Sequence, residues 1–285
     1  MNGKKEYSYT KNDLKAIAKR PERSNKYTFG RVLFVCGSCG MAGASYLAAL
    51  AAYRAGAGLC ELYIPEENRI ILQTLLPEAV VRTYGDGKID GLSELIEKSD
   101  AIVLGCGLGK SKISLELVKK VLREATVPTV VDADALNLIS EHPVLKKYLS
   151  GKIITPHFAE MARLMGKEIP EISDNTKAIC AEFAAEYGCI CVLKDHNTVV
   201  SDGSSVYTNN SGNSAMAKAG SGDLLAGVIG ALSARRDAPL SSLDAATLGV
   251  YIHGLAGDAA RDRFGEFSVL ARDVADSICE VMRSL

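Results

Sequence analysis

Hydrophobic and polar positions along this chain follow two alternating regimes. Short β-branched runs, Arg31-Val-Leu-Phe-Val-Cys36, Leu59-Cys-Glu-Leu-Tyr-Ile64, Ala101-Ile-Val-Leu-Gly105, Thr129-Val-Val-Asp-Ala133 and Lys152-Ile-Ile-Thr155, read as strands, and a stretch of helical length and amphipathic spacing follows each. That order predicts an α/β fold with a largely parallel central sheet and helices on both faces. Beyond Gly188 the pattern changes, because Cys189-Ile-Cys-Val-Leu-Lys194, Asn197-Thr-Val-Val-Ser-Asp202 and Ser204-Ser-Val-Tyr-Thr208 are separated only by short turns. They predict a small antiparallel edge. From Gly222 onward the expectation is helical, with helices near 223–235, 243–261 and 271–283. No interior linker, low-complexity stretch or solenoid repeat interrupts the chain, so residues 1–285 are expected to form one domain, with 1–28 as an N-terminal arm or helix.

Parallel sheets of this kind bind ligands beyond the carboxyl ends of their strands. The glycine-rich and polar segments fall there: Gly37-Ser-Cys-Gly-Met-Ala-Gly43, Gly105-Cys-Gly-Leu-Gly109, Asp132-Ala-Asp134 and Thr155-Pro-His157 each follow a strand, and Lys194 ends one.

Charge and composition narrow the function. In 285 residues, 33 Lys and Arg stand against 34 Asp and Glu, which lacks the basic footprint of a nucleic-acid binder. The longest apolar tracts, Ala42 to Ala52 and Leu224 to Ala234, are too short to span a bilayer, and the first residues carry no signal-peptide pattern. A cytoplasmic protein without a membrane partner is expected. The 8 cysteines include the close pairs Cys36/Cys39 and Cys189/Cys191, but none of the 4 histidines stands at ligand spacing to either pair. They are expected to be free thiols.

Gly105-Cys-Gly-Leu-Gly-Lys-Ser111 ends like a Walker loop, yet Leu104 stands where that loop's first glycine belongs, and Lys110 stands where a dinucleotide fingerprint has its third. Either a tight turn or close ligand approach explains these glycines. A stronger signal is Asn209-Asn-Ser-Gly-Asn-Ser-Ala-Met-Ala-Lys-Ala-Gly-Ser-Gly-Asp223, running straight into an apolar helix. A helix start has unpaired amides and a positive dipole end, and Gly220, Ser221 and Gly222 would let backbone wrap a phosphate. Asp223 is then a first-turn helix acid or a general base beside that phosphate. Thr155-Pro-His-Phe-Ala-Glu160 opens another helix; His157 is a cap or a site residue, and Glu160 reaches a metal-bound water or faces solvent. His253-Gly-Leu-Ala-Gly-Asp258 is better explained by helix packing.

Together these stretches resemble the NAD(P)H-hydrate dehydratase family of the ribokinase-like superfamily. The likeness runs in order through Phe29-Gly-Arg-Val-Leu-Phe-Val35, Met41-Ala-Gly-Ala44, Arg54-Ala-Gly-Ala-Gly58, Val131-Asp-Ala-Asp-Ala-Leu-Asn137, Ile154-Thr-Pro-His157, Ser211-Gly-Asn213, Ala219-Gly-Ser-Gly-Asp223 and His253-Gly-Leu-Ala-Gly-Asp258. It implies an ADP- or ATP-dependent enzyme that dehydrates 6-hydrated NADH or NADPH, with Mg²⁺ on the nucleotide phosphates. It implies hydrate binding at Ala44, Gly107, His157 and Asp223, with Asp223 as base. The nucleotide is implied at Lys194, Asp195, His196, Asn197, Thr198 and Gly222, although Asp195 replaces a usual glycine. Further implications are a homotetramer and a functional link to an NAD(P)H-hydrate epimerase, with no epimerase domain fused here. The alternatives are a superfamily kinase of a vitamin precursor or sugar, which commonly has Asn at the position of His157, and a non-catalytic nucleotide sensor. Because His157 precedes the nucleotide segments in the chain, it is expected on a separate wall of the site.

Overall fold

Along Arg31–Val35 the side chains turn alternately to two different cores: Val32 and Phe34 join one, Leu33 and Val35 the other, and all four are fully buried. The computed structural model describes residues 5–17, 19–85 and 88–283. Its strands are β1 (Lys5–Tyr7), β2 (Arg31–Val35), β3 (Leu59–Pro65), β4 (Val80–Tyr84), β5 (Ala101–Leu104), β6 (Thr129–Val131), β7 (Ile153–Ile154), β8 (Ile190–Leu193), β9 (Val199–Ser201) and β10 (Ser205–Thr208). Its α-helices are α1 (Ala42–Arg54), α2 (Arg69–Leu75), α3 (Leu92–Lys98), α4 (Lys112–Glu124), α5 (Asp134–Glu141), α6 (Phe158–Met165), α7 (Ile169–Ser173), α8 (Thr176–Tyr187), α9 (Ser221–Ser233), α10 (Ser242–Ser268) and α11 (Ala271–Arg283).

The strands form one sheet in the order β1-β10-β9-β8-β7-β6-β5-β2-β3-β4. From β8 through β7, β6, β5, β2 and β3 to β4 every pairing is parallel, while β8-β9 and β9-β10 are antiparallel. Helices α1, α9, α10 and α11 cover one face, and α3, α4, α5, α6 and α8 the other. The small residues of α9 serve close packing: a Cβ on Gly227 would stand 2.0 Å from the Ala48 carbonyl of α1, and one on Gly230 would stand 2.6 Å from Val103 on β5. No helix among the described residues is long and apolar enough to cross a membrane.

The antiparallel strands are not the edge. The N-terminal arm supplies β1, which pairs parallel to β10 and closes that side. Tyr7 and Tyr9 of the arm pack on Tyr207, with ring centroids 5.6 and 4.8 Å away, and the Tyr9 hydroxyl meets Thr247 of α10 at 2.9 Å. At the opposite edge, β4 also goes beyond the expected strands. Helix α10 runs farther than expected, bending at Gly265, where φ is 74°.

Candidate active site

Helix α9 begins at the carboxyl edge of the sheet, and its start brings together residues from four strand ends. Gly220 precedes the first turn with φ at 93°, a conformation that suits glycine. It has a packing reason too, since a Cβ there would come 2.4 Å from Leu47. Gly222 is different: a Cβ would lie 3.5 Å from Lys194 Nζ and 3.9 Å from Asp132 Oδ2, in ordinary contact. The Cβ side of Gly222 in the first turn of α9 therefore faces a lysine and a carboxylate.

Asp223, one residue on, shares its corner with Cys106 and Asp132, whose ligand atoms and its own all lie within 4.8 Å of one another. Burial, and next the negative charge of Asp132, raise the Asp223 carboxyl from 3.8 to about 7, against the opposing pull of the Cys106 thiol and Lys194. The Cys36 side chain and burial hold Cys106 as a neutral thiol, its pKa well above the usual value. Lys194 Nζ lies 2.7 Å from Asp132 Oδ1 and 3.9 Å from Glu160 Oε2. Burial disfavours its charge, but Asp132 and Glu160 outweigh that and raise its pKa, so Lys194 stays an ammonium. Thr155 Oγ1 donates to the same Asp132 oxygen at 2.7 Å.

Asp132 is aimed by strain. Ala133, between Asp132 and Asp134, is the one described non-glycine residue with positive φ, at φ 49° and ψ −117°. Such a conformation costs about 1–3 kcal/mol and persists where its surroundings hold it. Here the Asp132 amide donates to the Leu104 carbonyl at 3.0 Å, and Asp134 Oδ2 accepts from the Gly109 amide at 2.8 Å. One carboxylate thus points to Lys194 and the other pins the glycine loop after β5.

His157 caps α6. Its Nδ1 accepts from the Glu160 amide at 3.3 Å, and its own amide donates to Glu160 Oε2 at 2.8 Å. Partial burial lowers the imidazole pKa; Glu160 opposes this and Lys194 adds to it. Glu160 is buried and faces Lys194, so its solvent-facing alternative is excluded. The separate wall expected for His157 does not exist. His157 bridges Lys194 in the sheet, with the Lys194 amide donating to the Pro156 carbonyl at 2.8 Å, because β7 and β8 are neighbours.

Other positions are distributed unevenly. Asp195, His196 and Asn197 are exposed in the β8-β9 turn, where His196 Nδ1 meets Asp195 Oδ2 at 2.8 Å and the buried Thr198 hydroxyl donates to the Asp195 carbonyl at 2.9 Å. Ala44 and Gly107 touch, since a Cβ on Gly107 would stand 2.6 Å from Ala44 Cβ. The polar run before α9 is scaffold: Asn209 and Ser211 bond each other, and Asp258 of α10 accepts from the Gly212 amide and Asn213 Nδ2 at 3.1 and 2.8 Å. Gly254 and Gly257 of α10 leave room for this run. His253, expected only to pack, places Nε2 3.4 Å from Ser221 Oγ, and burial lowers its pKa to about 4, leaving it neutral. The cysteines are free thiols. Asp132, Asp134, Cys106, Thr155 and His253 were given no role from the sequence, although the segments that hold the first four follow strands at the ligand-binding edge.

This sheet and site define a ribokinase-like protein. A ribokinase-like superfamily protein from Enterococcus faecalis V583 superposes with a TM-score of 0.89 at 28% identity, covering 98% of this chain and 96% of that one. The ADP/ATP-dependent NAD(P)H-hydrate dehydratase from Bacillus subtilis, co-crystallised with ATP and Mg²⁺, superposes with a TM-score of 0.82 at 27% identity, covering 96% and 97%. Residues 32–280 match the family model described as NAD(P)H-hydrate dehydratase. The ADP-dependent (S)-NAD(P)H-hydrate dehydratase of Neisseria meningitidis serogroup B is 37% identical over 264 residues, 90% of this chain and 86% of that protein. This chain belongs to the NAD(P)H-hydrate dehydratase family. Other curated relatives, named bifunctional NAD(P)H-hydrate repair enzymes, are longer, and the chain spans about half their length.

Proposed function

We propose that this chain dehydrates the 6-hydrated forms of NADH and NADPH at the expense of ADP or ATP, with ADP the preferred donor. The observation that carries the reading is Asp223, a buried carboxyl at a helix start whose pKa is raised to about 7. Such a group is substantially ionised near neutrality and basic enough to take a proton from an alcohol as it attacks phosphorus.

Hydroxide is a poor leaving group, so the ring hydroxyl must first be phosphorylated. Asp223 accepts the hydroxyl proton while the oxygen bonds to the terminal phosphorus of the nucleotide and the bond to the bridging oxygen breaks. The first-turn amides of α9 and the Lys194 ammonium stabilise the charge on the transferred group. The ring nitrogen's electron pair then expels phosphate, and loss of a ring proton restores the reduced nicotinamide. Hydrate contacts are assigned to Ala44, Gly107 and His157, and nucleotide contacts to Lys194 through Thr198 and Gly220 through Gly222.

The carboxylate oxygens of Asp132 and Asp223 are hard donors of the kind that fits Mg²⁺, whereas the protonated Cys106 beside them is not. With the nucleotide bound, such an ion would supply charge neutralisation at the phosphates, and Glu160 would hold it through water. A homotetramer working in the cytoplasm beside an NAD(P)H-hydrate epimerase completes the proposal, and the bifunctional names of the longer relatives support that coupling. Incubation with hydrated NADPH, Mg²⁺ and ADP or ATP should restore the absorbance of reduced nicotinamide. A stable phosphorylated product with no such recovery would show a kinase instead.

A further inference from the structure

Helix α10 carries three residues about one helical turn apart, Gly249, His253 and Gly257, on the face it turns to α9 and to the run before it. Both glycines permit close approach: a Cβ on Gly249 would stand 2.6 Å from Ile229 of α9, and one on Gly257 2.1 Å from Met216. The buried imidazole of His253, between them, is thereby brought to the start of α9. Its Nε2 lies 3.4 Å from Ser221 Oγ, and the Ser221 backbone is a second hydrogen-bond partner of the ring. Packing alone needs no polar ring on that face, and the reaction steps above make no use of it.

Ser221 has its hydroxyl left to offer an anion. Its amide is given to the Lys218 carbonyl at 3.3 Å, and the next residue is Gly222, a Cβ on which would lie 3.5 Å from the Lys194 ammonium. A serine hydroxyl holds one proton and two lone pairs, a neutral imidazole one N–H and one bare nitrogen, and a phosphate oxygen only accepts. A bare Nε2 would take the serine proton and leave lone pairs facing the phosphate. We propose that His253 is a positioning residue for the nucleotide: its Nε2–H donates to Ser221 Oγ, which turns the serine proton to the terminal phosphate. The proposal rests on the nucleotide placement given above. Charge agrees with it, since burial, and next the Lys194 ammonium, lower the His253 pKa to about 4 against the opposing Ser221 backbone. The ring is then neutral and holds the single N–H that the arrangement needs. At 3.4 Å the contact is long, and it should tighten once Ser221 is held between the ring and a phosphate.

Two-bond proton–nitrogen NMR of the intact, histidine-labelled protein reads the tautomer without any turnover. With ADP and Mg²⁺ bound, the His253 signals, assigned by their loss in His253→Gln, should be those of a neutral ring protonated on Nε2. A ring protonated on Nδ1 in that complex would overturn the proposal. Calorimetry tests the route through serine: the Kd for ADP should rise about tenfold in Ser221→Ala, the scale of a hydrogen bond to a charged group, and about as much in His253→Phe, which keeps a flat ring but donates nothing. His253→Gln, whose amide can reach the serine, should stay within about twofold of the unaltered protein. Because His253 acts through Ser221, the double variant Ser221→Ala, His253→Phe should bind ADP no more weakly than Ser221→Ala alone. Losses that add, or a folded His253→Phe with unchanged affinity, would make His253 a packing residue and overturn its positioning role. ADP that fails to bind the unaltered protein would overturn the nucleotide site and this proposal together. ADP binding as described without turnover of the hydrate would overturn the dehydratase reading alone.

Discussion

Two glycine-rich segments reach the carboxyl edge of this sheet, 105–109 and 220–223, and they need glycine for different reasons. In the first, the protein itself fills the space: a Cβ on Gly105 would stand 2.0 Å from the Asp132 carbonyl, one on Gly107 2.6 Å from Ala44, and the Gly109 amide is already given to Asp134. In the second, a Cβ on Gly222 would only touch Lys194 and Asp132, at 3.5 and 3.9 Å, at the start of a helix whose first amides have no partners within the helix. A glycine run offers a phosphate cradle only where its amides remain free and charge of the right sign faces them. In segment 220–223 the Ser221 amide is given to the Lys218 carbonyl at 3.3 Å, which leaves Gly222, beside the Lys194 ammonium and next to the titrating carboxyl, as the candidate place for a phosphate.

The largest effect that can break this contrast is at Asp223. Asp223→Asn should lower kcat about 10²- to 10⁴-fold, the usual worth of a general base, with nucleotide Kd from calorimetry nearly unchanged. The same variant has a stability signature. A carboxyl raised from 3.8 to about 7 binds its proton more tightly when folded, so its cost to folding grows as pH rises through that window and is absent below it. The melting temperature of Asp223→Asn should therefore exceed that of the unaltered protein by more at pH 8 than at pH 5.

The glycines themselves come next. Gly222→Val should stay folded and lose roughly ten- to a hundredfold in nucleotide affinity, matching the ~1.5–3 kcal/mol of a hydrogen bond to a charged group. Gly105→Ala should do the reverse and unfold at lower temperature, because its φ of 117° and the 2.0 Å approach leave no room for a methyl. Thermal melts and nucleotide titrations of the pair separate packing from binding. If both variants lost nucleotide affinity with unchanged melting temperatures, the two segments would be equivalent after all.

Asp132→Asn is a subtler change, since it removes the negative charge that helps to raise Asp223 and frees Lys194 to lower it. The rise of kcat/KM with pH should move to lower pH by about one unit, an effect of ~1.4 kcal/mol. A profile shifted upward would reverse the sign of the coupling. His157→Ala should have the smallest effect on the fold: loss of the α6 cap is worth about 1 kcal/mol, or roughly 2–4 °C in melting temperature.

The parallel strands were legible because each is a short apolar run buried on both faces, as Arg31–Val35 and Ala101–Leu104 show. β4 was not, since Val80–Tyr84 is a half-exposed edge strand interrupted by Arg82 and Thr83, and the three-residue β1 has too little pattern to read. Gly-Ser-Gly-Asp223 at a helix start was legible as a site because the signal is local. What tunes Asp223 was not, because Asp132 and Lys194 come from distant strands that only the sheet order brings together. The same limit explains Asn209 and Ser211, polar residues that resembled ligand contacts and are satisfied by one another, and His253, whose ring lies under Ser221 although its helix is rich in small packing residues.

In the proposed reaction the base is a buried carboxyl that titrates near neutrality. The pH dependence of kcat/KM for hydrated NADPH, measured with saturating nucleotide and Mg²⁺, tests it directly. The rate constant should climb about tenfold per pH unit through the acid range and level off around pH 7, as expected for one base with the raised pKa of Asp223. A profile flat from pH 5 to 8, or one that levels off near pH 4, would contradict the account.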